Sequence, residues 1–313
     1  MTTSLSSVPI TLAMWWTLHP RRFLTSLVLW ACLAGCGPGT PEEGDGFQPF
    51  FFIQMADTQL GMFAKDTDFE KETELFERAV AHANRLKPRF VVICGDLINS
   101  QGDPAQQKEF LRISRKLDTT ISLYLVSGNH DVGSKPTGKS LSDYREVIGA
   151  DWYRFEEPGL LGIVLNSSLI YDPDKIPEEY EAQLSWLKDQ LDRSKARETR
   201  HVFVFVHHPF FLTDPLEEND YFNLPLKRRI VFLDLFRKQG VPAVFAGHYH
   251  RNSYGRNGPT EMITTGPVGK PLGDDPSGFR IVRVYEDHFE HAYHGLDSVP
   301  ESISLKTLGH PSE

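Results

Sequence analysis

Cysteine is scarce, with three in 313 residues. That is too few for a disulfide framework, so stability must come from a hydrophobic core. Positive charge is also in short supply: 33 Lys and Arg face 42 Asp and Glu, for a formal net charge of −9. The only compact basic run, Lys227-Arg228-Arg229, reads as a solvated helix face. This balance excludes general binding of DNA or RNA, whose phosphates need a basic surface. No internal repeat is present, and no apolar run is long enough to span a bilayer. With 40% hydrophobic and 24% charged residues the chain has globular rather than disordered composition. Its length fits one large domain or two small ones. Histidine is what it has in number, twelve in all.

Residues 1–35 carry only two charged side chains, Arg21 and Arg22, followed by an apolar run from Phe23 to Gly35. The run has the length of a signal-peptide core and ends Leu33-Ala34-Gly35-Cys36. This resembles the lipobox of bacterial lipoproteins, which implies cleavage before Cys36 and lipidation of its thiol. Residues 36–46, rich in Gly, Pro and Glu, read as a flexible tether. The expected setting is extracytoplasmic and lipid-anchored. Gly37 is not the Asp that typically retains such proteins in an inner membrane, so an outer membrane is favoured where one exists. An ordinary secretory leader is the alternative, and Met14 is a tidier start than Met1. Removing Arg21 and Arg22 with the leader takes the net charge from −9 to −11. Cys94, in an apolar run, is then the one thiol left uncapped, and it reads as an inert buried residue.

Beyond the tether, short apolar runs alternate with amphipathic stretches. Strands are predicted at Phe50–Ala56, Phe90–Cys94, Ile121–Val126, Leu161–Leu165, Val202–Val206 and Ala243–Ala246. Helices are predicted at Phe69–Leu86, Ala105–Lys116, Glu178–Leu191 and Leu226–Gln239. The C-terminal part turns to β at Glu261–Thr264, Phe279–Tyr285 and His288–Tyr293. This order predicts a layered α/β domain over residues 47–300, followed by a tail at 301–313.

Chemistry-bearing residues come after the strands. Asp57-Thr58-Gln59 comes after the first, Gly95-Asp96 after the second and Gly128-Asn129-His130-Asp131 after the third. His207-His208-Pro209 and Gly247-His248-Tyr249-His250 come after two later ones. In layered α/β folds the carboxyl edge of the strands is where sites are built. Asp, Asn and His together suit borderline divalent metals such as Mn, Fe, Zn or Ni. A pair of such ions polarises a phosphoryl group and stabilises attacking and leaving oxygens. Gly before Asp96, Asn129 and His248 is expected to permit sharp turns. Strand alternation is expected to place His248 and His250 on one side of an extended segment, and to turn His208 away from His207.

Taken in order, these motifs resemble the calcineurin-like metallophosphoesterase superfamily over roughly residues 50–295. The resemblance implies a four-layer α/β/β/α sandwich and a two-metal site. Asp57, Gln59, Asp96 and His250 would hold the first metal. Asp96, Asn129, His207 and His248 would hold the second, with Asp96 bridging. His130 would contact the phosphoryl group and protonate the leaving oxygen, and a metal-bridging hydroxide would attack in line. Catalysis is thus assigned to His130, Asp96 and Asn129.

Two positions depart from the usual pattern. Gln59 stands where most of the superfamily has His. The branch of the small animal Ser/Thr phosphatase with a single calcineurin-like domain carries Asp-Pro-Gln there and is similar again over Gly247 to Asn252. Asn99 stands where the large regulated Ser/Thr phosphatases have the Asp that orients their catalytic His, which leaves the partner of His130 open. Arg251 is a candidate for pairing with substrate phosphate, and His208 a further one for contacting it. Phosphomonoesters are the favoured substrates. The alternatives are a phosphodiesterase acting on cyclic nucleotides or lipid head groups, and a non-catalytic metal-containing binding module. Residues 266–278 are expected to line the mouth of the site, and the polar stretch 214–223 to shape the pocket. Trp152, Tyr153 and Phe155 are expected in the core.

Overall fold

A computed structural model describes residues 46–306 except 198. The expected leader, Cys36 and the tether up to residue 45 lie outside the described residues, as do residues 307–313. The elements in chain order are β1 (Phe50–Met55), α1 (Glu70–Leu86), β2 (Phe90–Cys94), α2 (Pro104–Ser114), β3 (Ser122–Val126), α3 (Asn129–Val132), α4 (Gly138–Val147), β4 (Tyr153–Glu157), β5 (Leu160–Val164), α5 (Ser167–Tyr171), α6 (Pro177–Ala196), β6 (His201–Phe205), α7 (Leu226–Gln239), β7 (Ala243–Ala246), β8 (Ser253–Asn257), β9 (Thr260–Thr264), β10 (Gly278–Val284) and β11 (Phe289–Gly295).

The strands form two sheets, ordered β11-β10-β1-β2-β3 and β4-β5-β6-β7-β9-β8. In the first sheet β1, β2 and β3 are parallel and β10 and β11 add antiparallel on one side; in the second, β5, β6, β7 and β9 are parallel and antiparallel β4 and β8 close both edges. Side-chain alternation along β1 shows how the layers arise. Phe50 and Phe52 enter a core shared with Phe203, Phe205 and Phe245 of the other sheet. Phe51, Ile53 and Met55 point the other way, into a core with Leu75, Phe76 and Phe110 of α1 and α2. The second sheet covers its outer face with Leu187 and Leu191 of α6 and Phe232 and Phe236 of α7. The result is the expected α/β/β/α sandwich.

Both faces of the inner strands are therefore covered, which is why β1, β2, β5, β6 and β7 are apolar and buried almost throughout. The inter-sheet core is largely aromatic. Phe52 stacks on Phe90 at 4.5 Å and meets Phe245 edge-on at 5.5 Å, while Phe155 stacks on Tyr124 at 3.6 Å. Losing one such ring costs about 3–5 kcal/mol. The helices start and stop for local reasons. Asp103 caps α2 by accepting from the amides of Ala105 and Gln106, with Pro104 at the first helical position. Gly240, left-handed at φ 71°, ends α7. Among the described residues no helix is long and apolar enough to cross a membrane.

Candidate metal centre

The chain segments that leave β1, β2, β3, β6 and β7 converge. The Asp57 amide donates to Gly95 O at 3.0 Å and the Gln59 amide to Asp96 O at 2.8 Å. The Gly247 amide donates to His207 O at 3.1 Å, and His207 Nδ1 donates to Cys94 O at 2.9 Å. Two sets of side chains meet there with ligand atoms within 4.8 Å of one another: Asp57, Asp96 and His250 in one, His207, His208 and His248 in the other. All six are buried.

Asp57, Gln59, Asp96, His248 and His250 all have positive φ, between 35° and 67°. A non-glycine residue in this region costs about 1–3 kcal/mol and persists only where its surroundings enforce it. The sharp turns expected at the glycines are thus made largely by the functional residues themselves. Gly95 does turn, at φ 80°. Gly128 serves a different purpose, since its φ is −107° and a Cβ there would overlap the Asp96 carboxylate. The left-handed backbone also overturns the extended segment expected at His248 and His250: the first joins His207 and the second joins Asp57. Likewise β6 ends at Phe205, so strand alternation does not extend to His207 and His208. The rings of these two histidines lie side by side, 5.0 Å apart and edge to face.

Asp96 connects the parts. Its Oδ1 accepts from the His130 amide at 2.8 Å, and its Oδ2 lies 3.2 Å from His207 Nε2. Asn129 Oδ1 lies 3.1 Å from His207 Nε2. Asp57 accepts from the His248 amide through both oxygens, at 3.1 and 3.0 Å, and its Oδ1 lies 3.5 Å from His250 Nε2. Asp131 takes no place among these ligands. It accepts from the amides of Leu97 and Gly128 at 3.0 and 2.8 Å and so fixes the turn that carries Asn129 and His130.

The partner of His130 is the Asn99 backbone: Nδ1 sits 2.6 Å from Asn99 O. Backbone carbonyls likewise hold two of the other histidines, Tyr221 O at 3.0 Å from His248 Nε2 and Lys270 O at 2.6 Å from His250 Nδ1. Ser167 Oγ accepts from the amides of His207 and His208, at 3.2 and 2.8 Å. None of these contacts is legible in the sequence, because a carbonyl carries no side-chain signature and Ser167 lies on a helix of five residues.

The stretch 214–223 does reach the site, through Tyr221, whose ring stands 4.9 Å from that of His248. Residues 266–278 do so through Lys270. Arg251 is tied to the same loop: its guanidinium donates to Leu272 O at 2.5 Å and covers the Tyr249 ring at 5.0 Å. The solvated helix face expected at 227–229 fails at Arg229, which is fully buried. It donates twice to Leu224 O and once each to Pro215 O and Glu217 O, at 2.9–3.1 Å. A charge run in sequence does not reveal that α7 turns Arg229 under the 212–225 segment.

Burial raises the Asp57 carboxyl well above the usual carboxylate range, with Asp96 adding repulsion and His207 opposing. For Asp96, burial is outweighed by the positive charge of His207, which holds the carboxyl well below its ordinary value. Burial likewise opposes charge on His207, but Asp96 pushes the imidazolium up to about 9. Burial pushes His248 down to about 3 with help from His207, and His250 down to about 4 against its bond to Lys270. His248 and His250 are thereby neutral, the ligand form that divalent ions take, and His207 would give up its proton when an ion binds beside Asp96. Gln59 Oε1 is buried without a hydrogen-bond partner. Such an orphaned acceptor costs about 1–3 kcal/mol, and a cation would relieve both it and the carboxylate repulsion. The donor set therefore fits a pair of borderline divalent metals.

Residues 52–252 match the family described as calcineurin-like phosphoesterase. A Danio rerio protein named serine/threonine-protein phosphatase CPPED1 is 39% identical over 275 residues, covering 83% of this chain and 89% of the relative. The Homo sapiens protein of that name is also 39% identical, covering 83% and 88%. Among solved structures, a dimetal phosphatase from Danio rerio superposes with a TM-score of 0.56 at 20% identity, over 79% of this chain and 96% of the other. A purple acid phosphatase from yellow lupin gives 0.60 at 13% identity, over 84% and 57%. With the ligand geometry, these matches establish that the chain is a metallophosphoesterase and belongs to the calcineurin-like phosphoesterase family.

Proposed function

We propose that this protein hydrolyses phosphomonoesters at a two-metal centre and does so outside the cytoplasm, held to a bacterial membrane by a lipid on Cys36. Asp57, Gln59, Asp96 and His250 hold the first ion. Asp96, Asn129, His207 and His248 hold the second, with His208 packed 4.3 Å from the His248 ring. The observation that carries this reading is the position of Asp96. One carboxylate touches His207, groups with Asp57 and His250, and accepts from the His130 amide. Ligand sets and acid are thereby locked in one frame.

A divalent pair supplies Lewis acidity and an activated water. The protein supplies the rest. The bond from Nδ1 to Asn99 O holds one ring proton of half-buried His130 on Nδ1 and aims Nε2 at the substrate, so that the imidazolium form donates Nε2–H to a phosphoryl oxygen and then gives that proton to the leaving alkoxide. Tyr221, 52% exposed, narrows the rim beside His248. The preference for monoesters is supported by relatives that carry the name serine/threonine-protein phosphatase and match nearly end to end.

The test is release of p-nitrophenol by the purified full-length chain with Mn²⁺, from the mono-ester against the bis-ester. Faster turnover of the mono-ester is expected, and the opposite order would make the protein a phosphodiesterase. Asp96→Asn and His248→Ala should each abolish phosphate release with an unchanged circular dichroism spectrum, and full activity in either overturns the mechanism. Cys36→Ser should move the chain from the membrane to the soluble fraction, and continued membrane retention refutes the lipid anchor.

A further inference from the structure

Gln59 presents an amide, and an amide has two ends. Only the carbonyl oxygen is a useful ligand, so something must keep the NH₂ end away from the metal. The side chain is 1% exposed. Its Nε2 donates to Asn99 Oδ1 at 3.2 Å, while its Oε1 has no partner. Asn99 is itself an amide with the same ambiguity, and its Nδ2 donates to Asp66 Oδ1 at 2.8 Å. Gln106 Nε2 donates to the same oxygen at 2.8 Å, and Gln106 Oε1 accepts from the Asn99 and Ser100 amides at 3.0 and 2.8 Å. The chain of amides therefore ends on a carboxylate.

We infer that Asp66 is a positioning residue that sets, through Asn99, which end of the Gln59 amide faces the first metal. An ionised carboxylate only accepts hydrogen bonds. It draws the NH₂ of Asn99, which turns the Asn99 carbonyl to Gln59, which draws the Gln59 NH₂ and leaves Oε1 facing the ligands. Polarity thus passes from an exposed loop residue to a buried ligand across two side chains. This also gives Asn99 a second task beside holding His130. The His130 contact uses the Asn99 backbone and the Gln59 contact uses its side chain, so the two are separable. The relay rests on the reading of Gln59 as a ligand of the first ion.

Asp66→Asn tests it, because the change is isosteric, lies on the surface and leaves every ligand in place. An Asn at 66 offers either end of its amide, so the relay loses its direction. Titration of the full-length chain with Mn²⁺, monitored by the free-ion electron paramagnetic resonance signal, should show two ions bound by the unaltered protein. In Asp66→Asn one of them should be bound about tenfold more weakly, with the other unchanged and the acid limb of the kcat–pH profile unmoved. In a Gln59→His background the same change should have no effect, because whichever imidazole nitrogen faces the ion can ligate it, whereas only the oxygen end of an amide can. Equal affinities for both ions in Asp66→Asn and the unaltered protein overturn the relay while leaving the metal centre intact. Equal weakening in the Gln59→His background overturns it too, by showing that the loss does not pass through the amide. Failure of the unaltered protein to bind two ions overturns the relay and the centre together.

Discussion

Arg229 offers the sharpest test of how the rim of the site is built. Its guanidinium has no exposure, and it meets backbone carbonyls rather than a carboxylate. Burial lowers its affinity for the proton, partly offset by Glu217 and Asp214. Four charge-assisted hydrogen bonds at about 1.5–3 kcal/mol each give a gross value of about 6–12 kcal/mol. Arg229→Met removes them and leaves three carbonyls short of donors, but it also removes a desolvated charge, which returns several kcal/mol. The net loss should be about 3 kcal/mol. At about 2–4 °C per kcal/mol that lowers Tm by about 6–12 °C. Arg229→Lys keeps the charge but not the planar fork, and should lose about half as much. The local consequence matters more. Glu217 accepts from the amides of Leu212, Thr213 and Asp214 and from Asn223 Nδ2, so the 212–225 segment is clamped by Arg229 and Glu217 together. That clamp delivers Tyr221 O to His248. Arg229→Met should therefore also weaken Mn²⁺ binding, read by calorimetric titration beside the melt. A Tm drop below about 2 °C with unchanged Mn²⁺ affinity would refute the argument.

Two further expectations come from the same geometry. Gly128→Ala places a methyl group on the Asp96 carboxylate and, by displacing the shared ligand and the His130 amide, should reduce kcat on the order of 10²-fold; wild-type turnover would show that the turn relaxes freely. The pH dependence of stability, measured by urea unfolding with a chelator present, carries opposed contributions from His208, His248 and His250, whose folded-state values burial depresses, and from Asp57 and Asp131, whose folded-state values burial raises. Below about pH 6.5 the unfolded chain binds protons that these buried rings refuse, so each ring lowers stability on acidification by up to about 1.4 kcal/mol per pH unit, while each buried carboxyl keeps a proton that the unfolded chain releases and acts in the opposite sense. His208→Gln should therefore remove one destabilising contribution and shift the slope between pH 6.5 and 5 toward greater stability at the acid end; a slope identical to that of the unaltered protein would contradict the burial of His208 as a neutral ring.

The parts of the fold legible in the sequence are those where one physical requirement dominates. Strands covered on both faces must be apolar at every position, and β2 and β7 sit where the apolar runs place them. The missed strands, β4 and β8, are edges of the second sheet, where Arg154, Glu156 and Arg256 are tolerated and dilute the signal. Helices α3 and α5 have four and five residues, too few for a 3.6-residue period to repeat. Helix α4 buries only Ser140, Leu141 and Tyr144, so its apolar stripe is too thin to read.

The site divides along a different line. The residues that meet at its centre were legible because metal chemistry restricts them to a few side-chain types, and those types recur just beyond strands. What holds them was hidden, because it is backbone: Asn99 O, Tyr221 O, Lys270 O and Cys94 O fix four histidines regardless of which side chain those positions carry. Asn99 illustrates the point. Judged by its side chain, it looks like the loss of an acidic residue that should orient His130. Its carbonyl does that work instead, which frees the side chain to face Gln59. On the proposed reading of Gln59 as a ligand, the two departures from the usual pattern, Gln59 and Asn99, are one: an amide ligand calls for a neighbouring group that accepts its NH₂, and the Asn99 side chain supplies that group because His130 makes no claim on it.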